Sequence, residues 1–162
     1  MTGPLEGVKV LDLTSVLLGP YATQIMGDLG ADVIKIESPA GDTTRQTGVE
    51  RNPGMASFFL IANRNKRSLV LDLKKEAAKE ALWRLIDTAD VFIHAIRPKA
   101  IRRLGFGPEA VLARNPRIVY AGVHGFKEDG PYDNRPAYDD IIQAGSGLSA
   151  LMHRYSGRPM HT

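Results

Sequence analysis

Side chains able to do chemistry collect in a few short segments of the 162-residue chain. Two segments are basic: Arg64, Lys66 and Arg67, and then Arg97, Lys99, Arg102 and Arg103. The second group is expected to open a short helix directly after a strand. A helix N-terminus with arginines beside it suits a phosphate-bearing anion. The alternative for both groups is a solvated charged face. At Tyr138-Asp139-Asp140 a phenol and two acids begin an expected helix. They either complement the helix dipole or face a substrate carbonyl, and spacing alone does not separate the two. The turn Ser15-Val16-Leu17-Leu18-Gly19-Pro20 offers Leu17 and Leu18 as a surface for a ligand, with burial in the core as the even alternative.

Other chemistries find no support. The four histidines, His94, His124, His153 and His161, lack metal-ligand spacing. The absence of cysteine removes disulfides, thiolate metal sites and a cysteine nucleophile, and fits a reducing cytoplasm. Neither GxGxxG nor GxxxxGK occurs, so nothing points to a dinucleotide or P-loop site. Hydrophobic residues make up 43% and charged residues 24%, as in ordinary globular proteins. No apolar run approaches the ~20 residues of a membrane span, and Met1–Glu6 lacks the basic and apolar regions of a signal peptide. A net charge of +3 suits an anionic small ligand as well as nucleic acid and decides between neither.

The elements that must position these groups read as strands alternating with helices. Val8–Leu13 and Ala31–Glu37 are branched apolar runs of strand type, joined by a helix over 20–29. In that helix Ala22, Ile25, Met26 and Leu29 form an apolar stripe, and Gly30 closes it. Further strands are expected at Ser68–Leu73, Asp90–Ala95 and Arg117–Val123. Helices are expected at Met55–Ala62, Lys74–Thr88, Pro98–Leu104, Pro108–Arg114 and Tyr138–Leu151, the last weakened by Gly145 and Gly147. The alternation predicts an α/β fold with a mostly parallel, doubly wound, Rossmann-like sheet. Such sheets bind ligands beyond the carboxyl ends of their strands. No internal repeat, low-complexity stretch or domain boundary is visible. Gly157-Arg158-Pro159-Met160-His161-Thr162 reads as a turn leading nowhere, as if cut.

An ordered series of short motifs resembles the N-terminal part of the family III CoA-transferases, which include formyl-CoA transferase and carnitine CoA-transferase, with α-methylacyl-CoA racemase as a relative. It begins with Leu11-Asp12-Leu13-Thr14 and Gly19-Pro20, then Gly27 through Glu37. Gly41-Asp42 with Arg45, Asn65-Lys66-Arg67-Ser68 and Leu71-Asp72-Leu73-Lys74 follow. Arg97-Pro98, Arg103-Leu104-Gly105, Asn115-Pro116-Arg117, Arg135 through Asp139, Gln143-Ala144 and Ser146-Gly147-Leu148 complete it. The series covers nearly the whole chain.

The resemblance implies that residues 1–162 are the N-terminal part of a CoA-binding domain, the incomplete first domain of a larger two-domain fold. It implies that Leu71, Asp72, Leu73, Lys74 and Arg103, with Arg97 nearby, contact the nucleotide end of CoA. Leu17 and Leu18 would lie along the pantetheine and the thioester, and Tyr138 and Asp139 near the reacting group. One family branch has glutamine in place of Leu17 and arginine in place of Ser38, which speaks against a formyl or oxalyl substrate here. Racemases carry a histidine base in place of Tyr138, and tyrosine is a poor base near neutral pH. The implied partners are an acyl-CoA and a carboxylic acid, with coenzyme A thioester as substrate, no cofactor and no metal. Neither nucleic acid nor membrane is expected. The complete protein is expected to be an interlocked cytoplasmic homodimer using an aspartate nucleophile beyond Thr162. A racemase or other thioester isomerase, and a non-catalytic CoA-binding module, are the alternatives.

Overall fold

The computed structural model describes residues 3–133 and 135–158. The chain divides into two compact units, Met1–Val123 and His124–Thr162. The division falls at the start of the Gly- and Pro-rich loop, where the sequence had offered no boundary. The sequence's closing turn lies, from residue 159 onward, outside the described residues, as does His161.

The first unit is a five-stranded, all-parallel sheet. Its strands are β1 (Lys9–Leu13), β2 (Asp32–Glu37), β3 (Lys66–Val70), β4 (Val91–His94) and β5 (Val119–Gly122), in the order β3-β2-β1-β4-β5. The expected βαβ unit is present: β1 pairs β2 in parallel, with Asp12 opposite Lys35. Their connection is α1 (Leu18–Asp28), and Gly30 after it takes the left-handed conformation (φ 100°) that ends a helix cheaply. The other helices of this unit are α2 (Ser57–Asn63), α3 (Glu76–Ile86), α4 (Pro98–Leu104) and α5 (Pro108–Arg114). β3 starts two residues earlier than expected and ends at Val70. Leu71–Lys74 therefore follows the strand, and the Lys75 amide closes a turn onto the Asp72 carbonyl.

Strand residues alternate between faces, and the two faces differ in kind. Leu11, Leu13, Ile36 and Phe92 join Leu82 and Ile86 of α3, Ile101, Phe106 and Val111 in the main apolar cluster. Burying each such side chain stabilises the fold by ~1.5–3 kcal/mol. Asn115 ties this face together, its amide donating to the Ile86 and Ala89 carbonyls at the end of α3 (2.8 and 2.9 Å).

The opposite face carries a smaller apolar cluster at one end, Val10, Ala31, Val33 and Ile93. Toward the carboxyl end the same face carries Asp12, Lys35 and Glu37, all buried. This sets how α1 packs. The helix buries Thr23, Gln24 and Gly27 and exposes Leu18, Tyr21, Ile25 and Leu29. Of the apolar stripe, Met26 packs inward against the Val10 cluster while Ala22, Ile25 and Leu29 are exposed; Thr23 and Gln24 turn to the polar part of the surface that α1 covers. Phe58, Leu60 and Ile61 of α2 are exposed as well.

In the second unit the single helix expected over 138–151 is two helices, α6 (Asp139–Gly145) and α7 (Leu148–Ser156). Gly147 at φ 82° breaks them, because a left-handed residue cannot continue a right-handed helix.

Candidate functional site at the carboxyl edge of the sheet

Because β1 to β5 are parallel, the segments that follow them share one edge of the sheet. The turn after β1 is anchored there by buried charge. Asp12, fully buried, accepts from the Thr14 amide (2.9 Å), the Thr14 and Thr23 hydroxyls and the Lys66 ammonium (2.9 Å). Lys66 also donates to the Pro20 carbonyl (2.8 Å) and Asn63 Oδ1 (2.9 Å). One strand over, Lys35 donates to Asp42 Oδ2 (2.9 Å) and the Thr14 carbonyl (3.0 Å). Asp42 Oδ1 in turn accepts from the Val16 amide (3.3 Å) and from Thr44. A third pair, Glu37 with Arg45, is bidentate (2.8 and 2.6 Å), and the guanidinium sits 3.8 Å over the Phe59 ring.

The ionisation of these groups follows from their partners. Burial alone would raise Asp42, but the Thr44 amide and the Lys35 ammonium outweigh it and hold the carboxyl below the ordinary aspartate range. Burial works against Glu37 as well, and Arg45, the Asp42 amide and Ser68 likewise hold it low. Lys66 goes the other way. Desolvation lowers its ammonium despite the Asp12 carboxylate beside it.

A cavity of about 400 Å³ borders this network, lined by Lys35, Arg45, Phe59, Asn63 and Lys66 among others. Each cation at its wall already has a carboxylate: Lys35 with Asp42, Arg45 with Glu37, Arg64 with Asp28, Lys66 with Asp12, and Arg67 with Asp32. The first basic cluster of the sequence is thereby split. Arg64 and Arg67 are exposed surface pairs, whereas Lys66 is a buried structural cation. Among the described residues no group of three or more potential metal ligands occurs.

The expected binding residues fall as follows. Leu17 and Leu18 are exposed at the start of α1, not core. Leu71 and Leu73 pack partly against the main apolar cluster, and the Leu71 amide donates to the Glu37 carbonyl (2.9 Å). The Asp72 carboxylate accepts from the Lys74 amide (3.2 Å), and the Lys74 side chain is exposed. Arg97 is the exposed N-cap of α4, which has Pro98 at its start. Arg102 and Arg103 stand in the last turn of that helix. The expectation that the arginines open the helix thus holds for Arg97 and fails for Arg103, which instead complements the carbonyl end of the dipole. Leu17, Leu18, Leu71–Lys74 and Arg97 all follow strands of the one sheet. Tyr138, exposed, and Asp139, which accepts from Gln143 Nε2 (2.5 Å), belong to the second unit.

Sequence reasoning missed Asp12, Lys35, Glu37, Asp42 and Lys66 as a network. In strands of alternating character, such charges read as a solvent-facing row. The usable signal was Thr23 and Gln24 on the side of α1 turned to them.

Comparison with known proteins places this architecture. Residues 5–162 match the description CoA-transferase family III. A probable fatty acyl-CoA transferase, Rv3272, of Mycobacterium tuberculosis is 41% identical over 158 residues, which is 96% of this chain and 40% of that protein. A formyl-CoA:oxalate CoA-transferase of Streptomyces avermitilis is 43% identical over 162 residues, all of this chain and 39% of its own length. The crystal structure of Rv3272 superposes with a TM-score of 0.88 at 40% identity, over 99% of this chain and 45% of that one. A CAIB/BAIF family protein from Brucella suis gives 0.85 at 39% identity, over 92% and 40%. The chain thus spans about 40% of the length of these curated relatives. With its parallel sheet in the order β3-β2-β1-β4-β5 and a family match over nearly every residue, the chain belongs to CoA-transferase family III.

Proposed function

We propose that this chain is the CoA-binding N-terminal part of an enzyme that moves CoA from an acyl-CoA donor to a carboxylic acid acceptor. The observation that carries the reading is the anchored turn after β1, which holds Leu17 and Leu18 exposed at the carboxyl edge of the sheet. There they would line the pantetheine arm and the thioester. Leu71–Lys74 after β3, with Arg97 and Arg103, would receive the nucleotide end, where a guanidinium suits phosphate. Tyr138 and Asp139 would face the reacting group.

The chemistry is nucleophilic. A carboxylate from an aspartate beyond Thr162 attacks the thioester carbonyl, forming a C–O bond and breaking the C–S bond, which releases CoA thiolate and leaves a mixed anhydride. The thiolate then attacks the aspartyl carbonyl and expels the donor acid. The acceptor carboxylate attacks the resulting aspartyl thioester to form a second anhydride. The thiolate leaves with CoA and returns to the acceptor's acyl carbon, freeing the aspartate. The full-length enzyme is an interlocked cytoplasmic homodimer in this reading, with coenzyme A thioester as substrate and no added cofactor. Racemisation is the weaker reading, since the Tyr138 phenol is a poor base at neutral pH.

The test is transfer of CoA from a panel of acyl-CoA donors to mono- and dicarboxylic acids by the full-length protein, followed by mass, together with deuterium incorporation at the donor α-carbon. Transfer without α-exchange is expected. Exchange without transfer would replace the transferase by an isomerase, and CoA binding with neither would leave a non-catalytic module.

A further inference from the structure

The turn after β1 is strained, and the strain is held by charge. Val16 has φ 70°, a left-handed conformation that a β-branched residue rarely adopts. Apolar burial does not impose it, because Val16, Leu17 and Leu18 are 48%, 43% and 73% exposed. The turn is gripped through its backbone instead. Asp12 takes the Thr14 amide, Lys35 gives to the Thr14 carbonyl, and Asp42 takes the Val16 amide. Lys35 and Asp42 are both 1% exposed as side chains. Gly19 closes the other side, since a Cβ there would lie 2.4 Å from the Thr14 side chain.

A buried ion pair is a poor way to gain stability alone, because desolvation offsets most of the attraction. Its distinctive property is geometric: it fixes the atoms around it. Strain held by an over-determined surrounding is a recurrent feature of functional segments. We propose that Lys35 and Asp42 are positioning residues, whose buried pair holds the Thr14–Val16 turn in its strained form and so fixes Leu17 and Leu18 against the acyl-CoA thioester. The inference rests on the transferase reading for the identity of the ligand, but not for the anchoring.

The test uses the full-length protein and the near-isosteric double variant Lys35→Met/Asp42→Asn, which removes both buried charges together. Hydrogen exchange in 14–18 should accelerate at least tenfold while β1 and β2 keep their protection. With acyl-CoA as varied substrate, kcat should fall on the order of 10–100-fold, as expected for a slightly misplaced reacting group, while KM moves less than threefold. Adding Val16→Gly, which tolerates the left-handed conformation without the anchor, should return kcat to within threefold of the unmodified enzyme.

Unchanged exchange, unchanged kcat, or a kcat that Val16→Gly does not restore would each overturn the proposal. If the double variant does not fold, Val16→Gly alone decides. Relief of strain holds or raises its melting temperature, and a fall of about 2 °C or more means no strain was stored and the proposal is wrong. An unmodified enzyme that transfers no CoA from any donor sinks the transferase reading, whereas exchange in 14–18 still tests the anchoring.

Discussion

Replacing Lys66 by methionine is the sharpest test of the buried network. The substitution keeps the length of the side chain and removes one charge. It leaves three acceptors, Asp12 Oδ2, the Pro20 carbonyl and Asn63 Oδ1, without the ammonium that now serves them at 2.8 to 2.9 Å. Asp12 keeps the Thr14 amide and the Thr14 and Thr23 hydroxyls but, among the described residues, no cation at bonding distance, at a site with no solvent exposure. Breaking one side of a buried pair costs about 3–5 kcal/mol. With a urea slope of roughly 2 kcal/mol per molar, the unfolding midpoint should fall by about 1.5–2.5 M. Arg67→Met, one residue away, breaks a pair exposed at 66% and 46% and should cost under about 1 kcal/mol. Lys66→Met/Asp12→Asn, which removes both charges, should recover much of the single loss. Urea unfolding followed by circular dichroism of all four proteins supplies the numbers. Equal midpoints for the Lys66 and Arg67 variants would refute the division of the basic cluster into one buried cation and two surface ones.

Arg103→Ala is expected to weaken CoA binding by about 1–3 kcal/mol, the range for a charge-assisted hydrogen bond, and unchanged calorimetric affinity would make the arginine a partner of the helix dipole only. Asn115→Ala should cost about 1–3 kcal/mol through the two buried carbonyls it strands, with CoA affinity untouched, and a melting temperature equal to the unmodified protein's would count against the capping role. Asp42 and Glu37 are held below their ordinary values of 3.8 and 4.5. Their contribution is therefore complete above those values and lost as pH falls through the lower folded ones, so the melting temperature should drop steadily below about pH 4. Lys35→Met/Asp42→Asn should flatten that slope, and an unaltered slope would assign it to other carboxylates. A polypeptide of residues 1–162 alone is expected to show no CoA transfer and to self-associate through the exposed apolar stripe of α1 and α2. Turnover by it, or an acyl adduct on Asp139 or Asp140, would overturn the placement of the nucleophile beyond Thr162.

Much of the architecture was legible because it rests on local rules. Short branched apolar runs located the strands of the sheet, with the alternating Ser68–Leu73 run two residues late for β3, Gly30 ended α1, and the αL glycine at 147 was visible as a weak point in its helix. What stayed hidden was the direction in which α1 faces. Ala22, Ile25, Met26 and Leu29 do form a stripe of helical period, but periodicity reports only that a stripe exists, not which layer it meets. The choice was made by Asp12, Lys35 and Lys66, which come from three strands 23 and 31 residues apart and meet only once the sheet has its register. The motifs Gly41-Asp42 with Arg45 and Asn65-Lys66-Arg67 were visible in the sequence, yet within them Asp42 and Lys66 turn into the protein, whereas Asn65 and Arg67 are exposed. Leu17 and Leu18 were legible as a choice between core and surface, and the anchored turn resolves it.

The register of Asp12 opposite Lys35 has a consequence for folding. Shifting a strand by one residue turns every side chain to the other face. A slip of β1, β2 or β3 would drive Asp12, Lys35 or Lys66 onto the face of Leu11, Leu13 and Phe92, away from the buried partners that now pair Lys35 with Asp42 and Lys66 with Asp12. An unpaired buried charge costs several kcal/mol, comparable to a large share of a domain's whole stability. In an ordinary parallel sheet of valine and isoleucine, neighbouring registers differ little in hydrophobicity, and slipped forms compete. Here the three cations and three anions act as a key that fits one alignment, so the first three strands should lock together in a single step or not at all.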